Sequence, residues 1–215
     1  MSAAPQKTAE KTRRAPVQGR SQETVQRVLT ATSALLARGQ SLEMLTTATI
    51  AAESGVSVGA LYRFFPDKQA IVDAIALRHM EVFQEALGLR LMLAFPETPT
   101  AFLGMVIDAF AEYLAAHPDF RTVAFGAPGS GGTISRQTRN AYAADGEVSG
   151  LVRDFLTEAF AIEITAAFEL RLRLAIEIGD RLLAFAFEQE AGAVRARTLG
   201  EAKRILAATL FGVEA

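Results

Sequence analysis

The side chains able to do chemistry are unevenly spread along the 215 residues. Cysteine is absent and histidine occurs only as His79 and His117. Disulfides, thiolate zinc sites and a cysteine nucleophile are therefore excluded. The two histidines stand 38 positions apart, far from the spacing that puts two metal ligands on one helix face, so no metal and no cofactor is expected. His79 is expected as a partly exposed helix residue, and His117, just before Pro118, as a helix C-terminal cap. Glu163, Glu169, Glu188 and Glu190 fall among Arg171, Arg173, Arg181, Arg195 and Arg197. That mixture suits solvated helix faces or intersubunit ion pairs better than acid–base catalysis. No catalytic residue is assigned. The stretch GAPGSGGT, Gly126 to Thr133, imitates a phosphate-binding loop, but Gly132 stands where the lysine that reaches the terminal phosphates belongs. It is read as a flexible connection between helices.

The informative chemistry lies in residues 46–71, TTATIAAESGVSVGALYRFFPDKQAI. Thr46 can cap a first short helix through Ile50 and Ala51, which must stop at Gly55, the residue best suited to the left-handed conformation. Ser57 can cap a second helix from Val58 to Phe64. Ile50, Val56 and Leu61 then fill the angle between the two, with small Ala51 where they cross. This is the spacing of a helix-turn-helix, whose second helix enters the DNA major groove by its N-terminal end. Short side chains at Ser57, Gly59 and Ala60 permit that approach. The charge distribution agrees. Residues 1–70 carry nine bases against five acids, and the rest carries 13 bases against 19 acids, a basic head on an acidic body.

The motif resembles the TetR family of transcriptional regulators, whose signature is met by Thr46, Ile50, Ala51, Gly55, Val56, Ser57, Gly59, Leu61, Tyr62, Phe65, Lys68 and Ile71. The resemblance covers about 50 residues, and beyond residue 75 it is architectural only. It implies that Thr46, Tyr62 and Lys68 contact phosphates and that Ser57, Val58, Ala60, Arg63 and Phe64 face the groove. Thr47 and Gly59 complete the candidate DNA-binding set. Val58, Ala60 and Phe64 stand where hydrogen-bonding side chains are common, leaving Arg63 as the main donor to base edges, with guanine its natural partner. The resemblance further implies a divergent helical body that binds a small ligand and dimerises through its last two long helices, here about 166–190 and 198–211. The expected function is a ligand-responsive repressor, released from an inverted-repeat operator by a small molecule. An all-α carrier or enzyme with a vestigial head is the alternative.

The elements that must position these residues follow from periodicity. Residues 1–20, with Pro5, Pro16, Gly19 and five bases, among them Arg13, Arg14 and Arg20, read as a disordered arm able to add minor-groove or phosphate contacts. Residues 21–70 form the DNA-binding domain, its first helix about 22–38. Residues 71–215 form the body: a long helix ending before Pro96, a second closed by His117-Pro118, and helical pattern again from Glu147. Between Phe168 and Ile178 apolar residues alternate at period two, as in a strand. The Ala, Leu, Glu and Arg composition favours a helix instead, with two apolar faces that need partners on two sides. The class is all-α. The longest uninterrupted apolar run, Leu182 to Phe187, is six residues, too short for a membrane span. The polar, basic start is not a secretory signal, and a cytoplasmic protein is expected. The apolar stripes of the body suit a small apolar or aromatic effector. Candidate pocket residues are Phe83, Phe102, Met105, Phe110, Tyr113, Phe125, Phe155 and Phe168.

Overall fold

The computed structural model describes residues 15–126 and 147–212, and every regular element among them is an α-helix. The order is α1 (Ala15–Ala37), α2 (Thr47–Ser54), α3 (Val58–Phe64), α4 (Lys68–Leu93), α5 (Pro99–Ala116), α6 (Pro118–Phe125), α7 (Glu147–Phe160), α8 (Ala166–Glu188) and α9 (Ala193–Phe211). Side-chain caps start most of them. The Asp67 carboxylate accepts the Ala70 N–H at 2.8 Å to open α4. Thr98 and Pro99 open α5, and the Thr165 hydroxyl accepts the Phe168 N–H to open α8. Each satisfies an amide that the helix itself leaves unpaired. Helix α7 ends on Ala161, a non-glycine residue at φ 52°, with Ile162 N–H donating back to Leu156 O at 3.2 Å.

Helix α1 packs on α2, α4 and α6, helix α5 on α4, α6 and α9, and α8 on α9. Buried residues of head and body form one continuous cluster, from Val28 and Leu36 through Ile71, Ile75 and Phe102 to Leu206 and Leu210. The period-two stretch is indeed helical. Phe168, Leu172, Ala175, Gly179 and Leu183 form the buried face of α8, while Leu170, Leu174, Ile178 and Phe185 remain 60, 48, 37 and 47% exposed.

Four expectations need correction or extension. Helix α1 begins at Ala15 rather than near residue 22, so Arg20 belongs to a helix; residues 1–14 of the arm lie outside the described residues. His117-Pro118 closes α5 as expected, but a further short helix, α6, opens at once, with Pro118 in its first turn, where its missing N–H costs nothing. Helix α9 starts at Ala193, ahead of residue 198. Helix α5 is long and apolar enough to cross a membrane by length and composition, which a count of uninterrupted runs overlooked. It packs one face into the protein: Phe102, Ile107 and Leu114 are buried, and Asp108 pairs with Lys203 of α9 at 2.6 Å.

Candidate functional site

The head is built by local bonds that the sequence dictates. The Thr46 hydroxyl accepts the Thr49 N–H at 3.1 Å, and Thr49 Oγ1 accepts the Thr46 N–H at 3.1 Å, a reciprocal capping box. Gly55 ends α2 at φ 65°, ψ 30°. Two residues later Ser57 Oγ accepts the Ala60 N–H at 3.1 Å and starts α3. Ile50, Ala51 and Leu61 are buried in the angle between the helices.

This packing decides which way α3 faces. With Leu61 inward, Ser57, Val58, Gly59, Tyr62 and Arg63 are exposed along the opposite side, and Ala60 and Phe64 are half-buried. Phe64 packs against the core and carries the Arg63 guanidinium 4.8 Å from its ring centre, which holds that cation at the helix surface. Tyr62 and Thr47 are brought together, their hydroxyl oxygens 3.2 Å apart, so one bond links the start of α2 to α3. Thr46 is exposed and Thr47 half-buried beside it. Lys68, first residue of α4, donates from Nζ to Leu42 O at 2.6 Å. An ammonium has three protons, so this tether to the segment between α1 and α2 leaves two donors for a phosphate. The Lys68 tether gives no signal in the sequence, because Leu42 contributes only its carbonyl.

In the body, α4, α5, α7, α8 and α9 line a partly open cavity of about 150 Å³. Met80, Phe83, Leu103, Val106, Ile107, Phe110, Val152, Leu172, Ala175, Ile176, Leu183, Leu206 and Leu210 supply its apolar wall, and among the described residues Ser149 and Asp180 are the lining residues with hydrogen-bonding side chains. Of the eight candidate pocket residues, Phe83 and Phe110 line it and the other six do not. Phe102 stacks on Phe155, ring centres 4.4 Å apart, in an aromatic cluster of its own. Phe168 is buried, Met105 and Phe125 pack half-buried against the core, and Tyr113 serves a polar cluster. The selection went by aromatic content, whereas the wall is mostly aliphatic and is set by which helix faces meet.

That polar cluster went unforeseen. His79 of α4 is a partly exposed helix residue, as expected, its side chain 12% accessible, but it is tied into a network. Its Nε2 lies 3.0 Å from Asp119 Oδ2 and its Nδ1 2.9 Å from the Tyr113 hydroxyl. A carboxylate only accepts, so Nε2 carries the proton, and in the neutral ring the Tyr113 O–H donates to Nδ1. Burial alone would push the Asp119 carboxyl up. The hydrogen bond and charge of His79, the Phe120 N–H and the Ser33 hydroxyl outweigh it and lower the pKa to about 2. Burial, with the Asp119 charge, raises that of Tyr113 to about 12. His117 caps α5 as expected, its backbone N–H and Nδ1 both donating to Tyr113 O, at 3.0 and 2.9 Å. A hydrogen-bonded line thus runs from Tyr113 of α5 through His79 of α4 to Asp119 of α6. Among the described residues no group of carboxylates and histidines is arranged to hold a metal. Of the glycine-rich stretch, all beyond Gly126 lies outside the described residues.

Comparisons with known proteins bear on both parts. Residues 28–75 match the family model of bacterial regulatory proteins, tetR family. The nucleoid occlusion factor SlmA of Pasteurella multocida is 43% identical over 60 residues, 28% of this chain and 30% of that relative. The chain therefore matches less than a third of that relative's length. Among solved structures, a TetR-family transcriptional regulator from Streptomyces coelicolor superposes with a TM-score of 0.67 at 23% identity, over 88% of this chain and 99% of the other. RolR, in complex with resorcinol, superposes with a TM-score of 0.63 at 14% identity, over 92% and 96% of the two chains. At these identities the likeness is one of fold.

Proposed function

We propose that the chain, whose residues 28–75 match the tetR family model and whose fold is that of a TetR-family regulator, is a dimeric repressor released from DNA by a small molecule. The observation that carries the reading is the exposed N-terminal side of α3, where Ser57, Val58, Gly59 and Arg63 stand clear of the core within reach of base edges. Thr46, Thr47, Tyr62 and Lys68 surround it with hydroxyl and ammonium donors suited to phosphates. Ala60 and Phe64 serve at the margin of this surface. The basic residues of the arm add salt-dependent affinity.

The exposed face of α8, Leu170, Leu174, Ile178 and Phe185, together with Ile205 on α9, is the second apolar face of a helix whose first face is already buried, and a second copy of the chain covers it. The two-fold axis so created presents two α3 helices to successive major grooves, roughly 34–36 Å apart, and so selects an inverted repeat. The apolar cavity supports the effector half of the reading. RolR, of the same fold, was crystallised with the single-ring molecule resorcinol. An effector that favours another body conformation lowers DNA affinity by no more than its differential affinity for the two. The protein acts in the cytoplasm, on DNA.

Fluorescence anisotropy on DNA tiled across the upstream region of its own gene, at two salt concentrations, tests the reading. A saturable complex with one inverted-repeat tile that weakens with salt is expected, and reversing Arg63 and Lys68 abolishes it. Salt-insensitive binding of every tile alike would refute it.

A further inference from the structure

The side of α3 that faces away from the core is sparse, and what it carries limits which bases it can tell apart. In the major groove guanine is marked by its O6 and N7 acceptors and thymine by its C5-methyl group. Reading the first takes a forked donor, and reading the second takes an exposed apolar group. Arg63 is the one residue of α3 with a charged side chain. Its guanidinium lies 4.8 Å from the Phe64 ring centre, and a ring face occupies none of its five N–H donors. Val58 is 41% exposed, a branched apolar side chain that the fold leaves in water. The other residues discriminate little. The Tyr62 hydroxyl lies 3.2 Å from that of Thr47, drawn toward α2, the helix that crosses the DNA backbone in such a unit. Ser57 Oγ caps α3 by accepting the Ala60 N–H, and a serine hydroxyl suits any base edge. At Gly59 an added Cβ would meet nothing within 4 Å, so the packing of the protein does not call for a glycine. Glycine weakens a helix, and here it lies one turn before Arg63, on the same face. It bares the helix where DNA must come close for Arg63 and Val58 to touch bases.

Resting on the reading of the head as a DNA-binding unit, we propose that α3 discriminates two base pairs in each half-site. One is a guanine, held through O6 and N7 by Arg63, and the other a thymine, whose methyl group packs on Val58. The two residues are five positions apart, about 7.5 Å along the helix axis, which places the guanine and the thymine within about three base pairs of each other.

Selection of duplexes from a randomised pool by the full-length protein supplies the operator, an inverted repeat with such a guanine and thymine fixed in each half. Each base is then altered in the major groove alone: guanine to 7-deazaguanine, which lacks the N7 acceptor, and thymine to deoxyuridine, which lacks the methyl. Contacts to phosphates and in the minor groove register neither change. By anisotropy, 7-deazaguanine at the fixed guanine should weaken binding about fivefold or more. Deoxyuridine at the fixed thymine should weaken it about three- to fourfold, the worth of one buried apolar carbon. Val58→Ala should retain the melting temperature and the 7-deazaguanine effect and lose the deoxyuridine effect. An operator that tolerates deoxyuridine at every thymine, or 7-deazaguanine at every guanine, would overturn the proposal. So would a methyl effect undiminished in Val58→Ala. Failure of the DNA-binding reading looks different: no inverted repeat emerges, and selected duplexes are held no more tightly than the starting pool.

Discussion

Replacing Asp119 with Asn keeps the shape of the His79–Asp119 contact and removes its charge. In the folded protein the carboxyl is lowered from 3.8 to about 2, and the side chain is only 13% exposed, so solvent screens it little. Each pKa unit is worth about 1.4 kcal/mol, which makes the ionised Asp119 worth about 2 kcal/mol to the fold at neutral pH. The sign follows from linkage. A carboxyl lowered on folding stabilises fully above its unfolded pKa, near 4, and loses that contribution as the pH falls toward 2. At pH 3 roughly half remains. Urea unfolding of the native protein and of Asp119→Asn should thus differ by about 2 kcal/mol between pH 5 and 7 and by about 1 kcal/mol at pH 3. Comparing the two proteins at each pH cancels the titration of every other carboxylate. A difference that stays constant from pH 7 to pH 3 would refute the reasoning, because it would mark a packing defect and not a charge.

Gly55→Ala should destabilise the protein by about 1 kcal/mol, since it forces a side chain into the left-handed turn between α2 and α3; it should also weaken DNA binding, read by urea unfolding and by anisotropy. Ala161→Gly should do the opposite, raising stability by about 0.5–1 kcal/mol by relieving the positive φ that ends α7, visible as a higher urea midpoint with an unchanged slope. Leu174→Glu with Ile178→Glu should convert the proposed dimer to a 23.1 kDa monomer by light scattering, with helix content by circular dichroism unchanged and affinity for an inverted-repeat operator down more than tenfold. Raising the pH from 10 to 12 should cost the native protein stability that Tyr113→Phe does not lose, because a hydroxyl raised to about 12 favours the fold only while it stays protonated.

What could be read from the sequence was what the chain determines locally. The caps Thr46 and Ser57, the stop at Gly55 and the buried Ile50 and Leu61 all lie within residues 46–61, and the structure places them as the spacing requires. The two apolar faces of α8 were equally legible, because helical periodicity distinguishes Leu172 from Leu174 without reference to any partner. The misses concern pairs distant in the chain. His79 meets Asp119 across 40 positions, and nothing near His79 marks that partner. The cavity wall depends on five helices converging, which no stripe on one helix encodes. The early start of α1 escaped because Pro16 and Gly19 read as breakers, yet proline is at home in a first helical turn.

The packing of α1 on α6 limits the modularity of the protein. Recombination between relatives is simplest where a head can be exchanged as a cassette, and a seam near residue 70 invites that cut. A foreign head grafted there would bring its own α1 to that contact. It would also have to reproduce the surface that α1 lays on α6. Heads and bodies of this architecture therefore inherit one another's constraints, and a successful transplant must carry α6 with the head or match the graft to it.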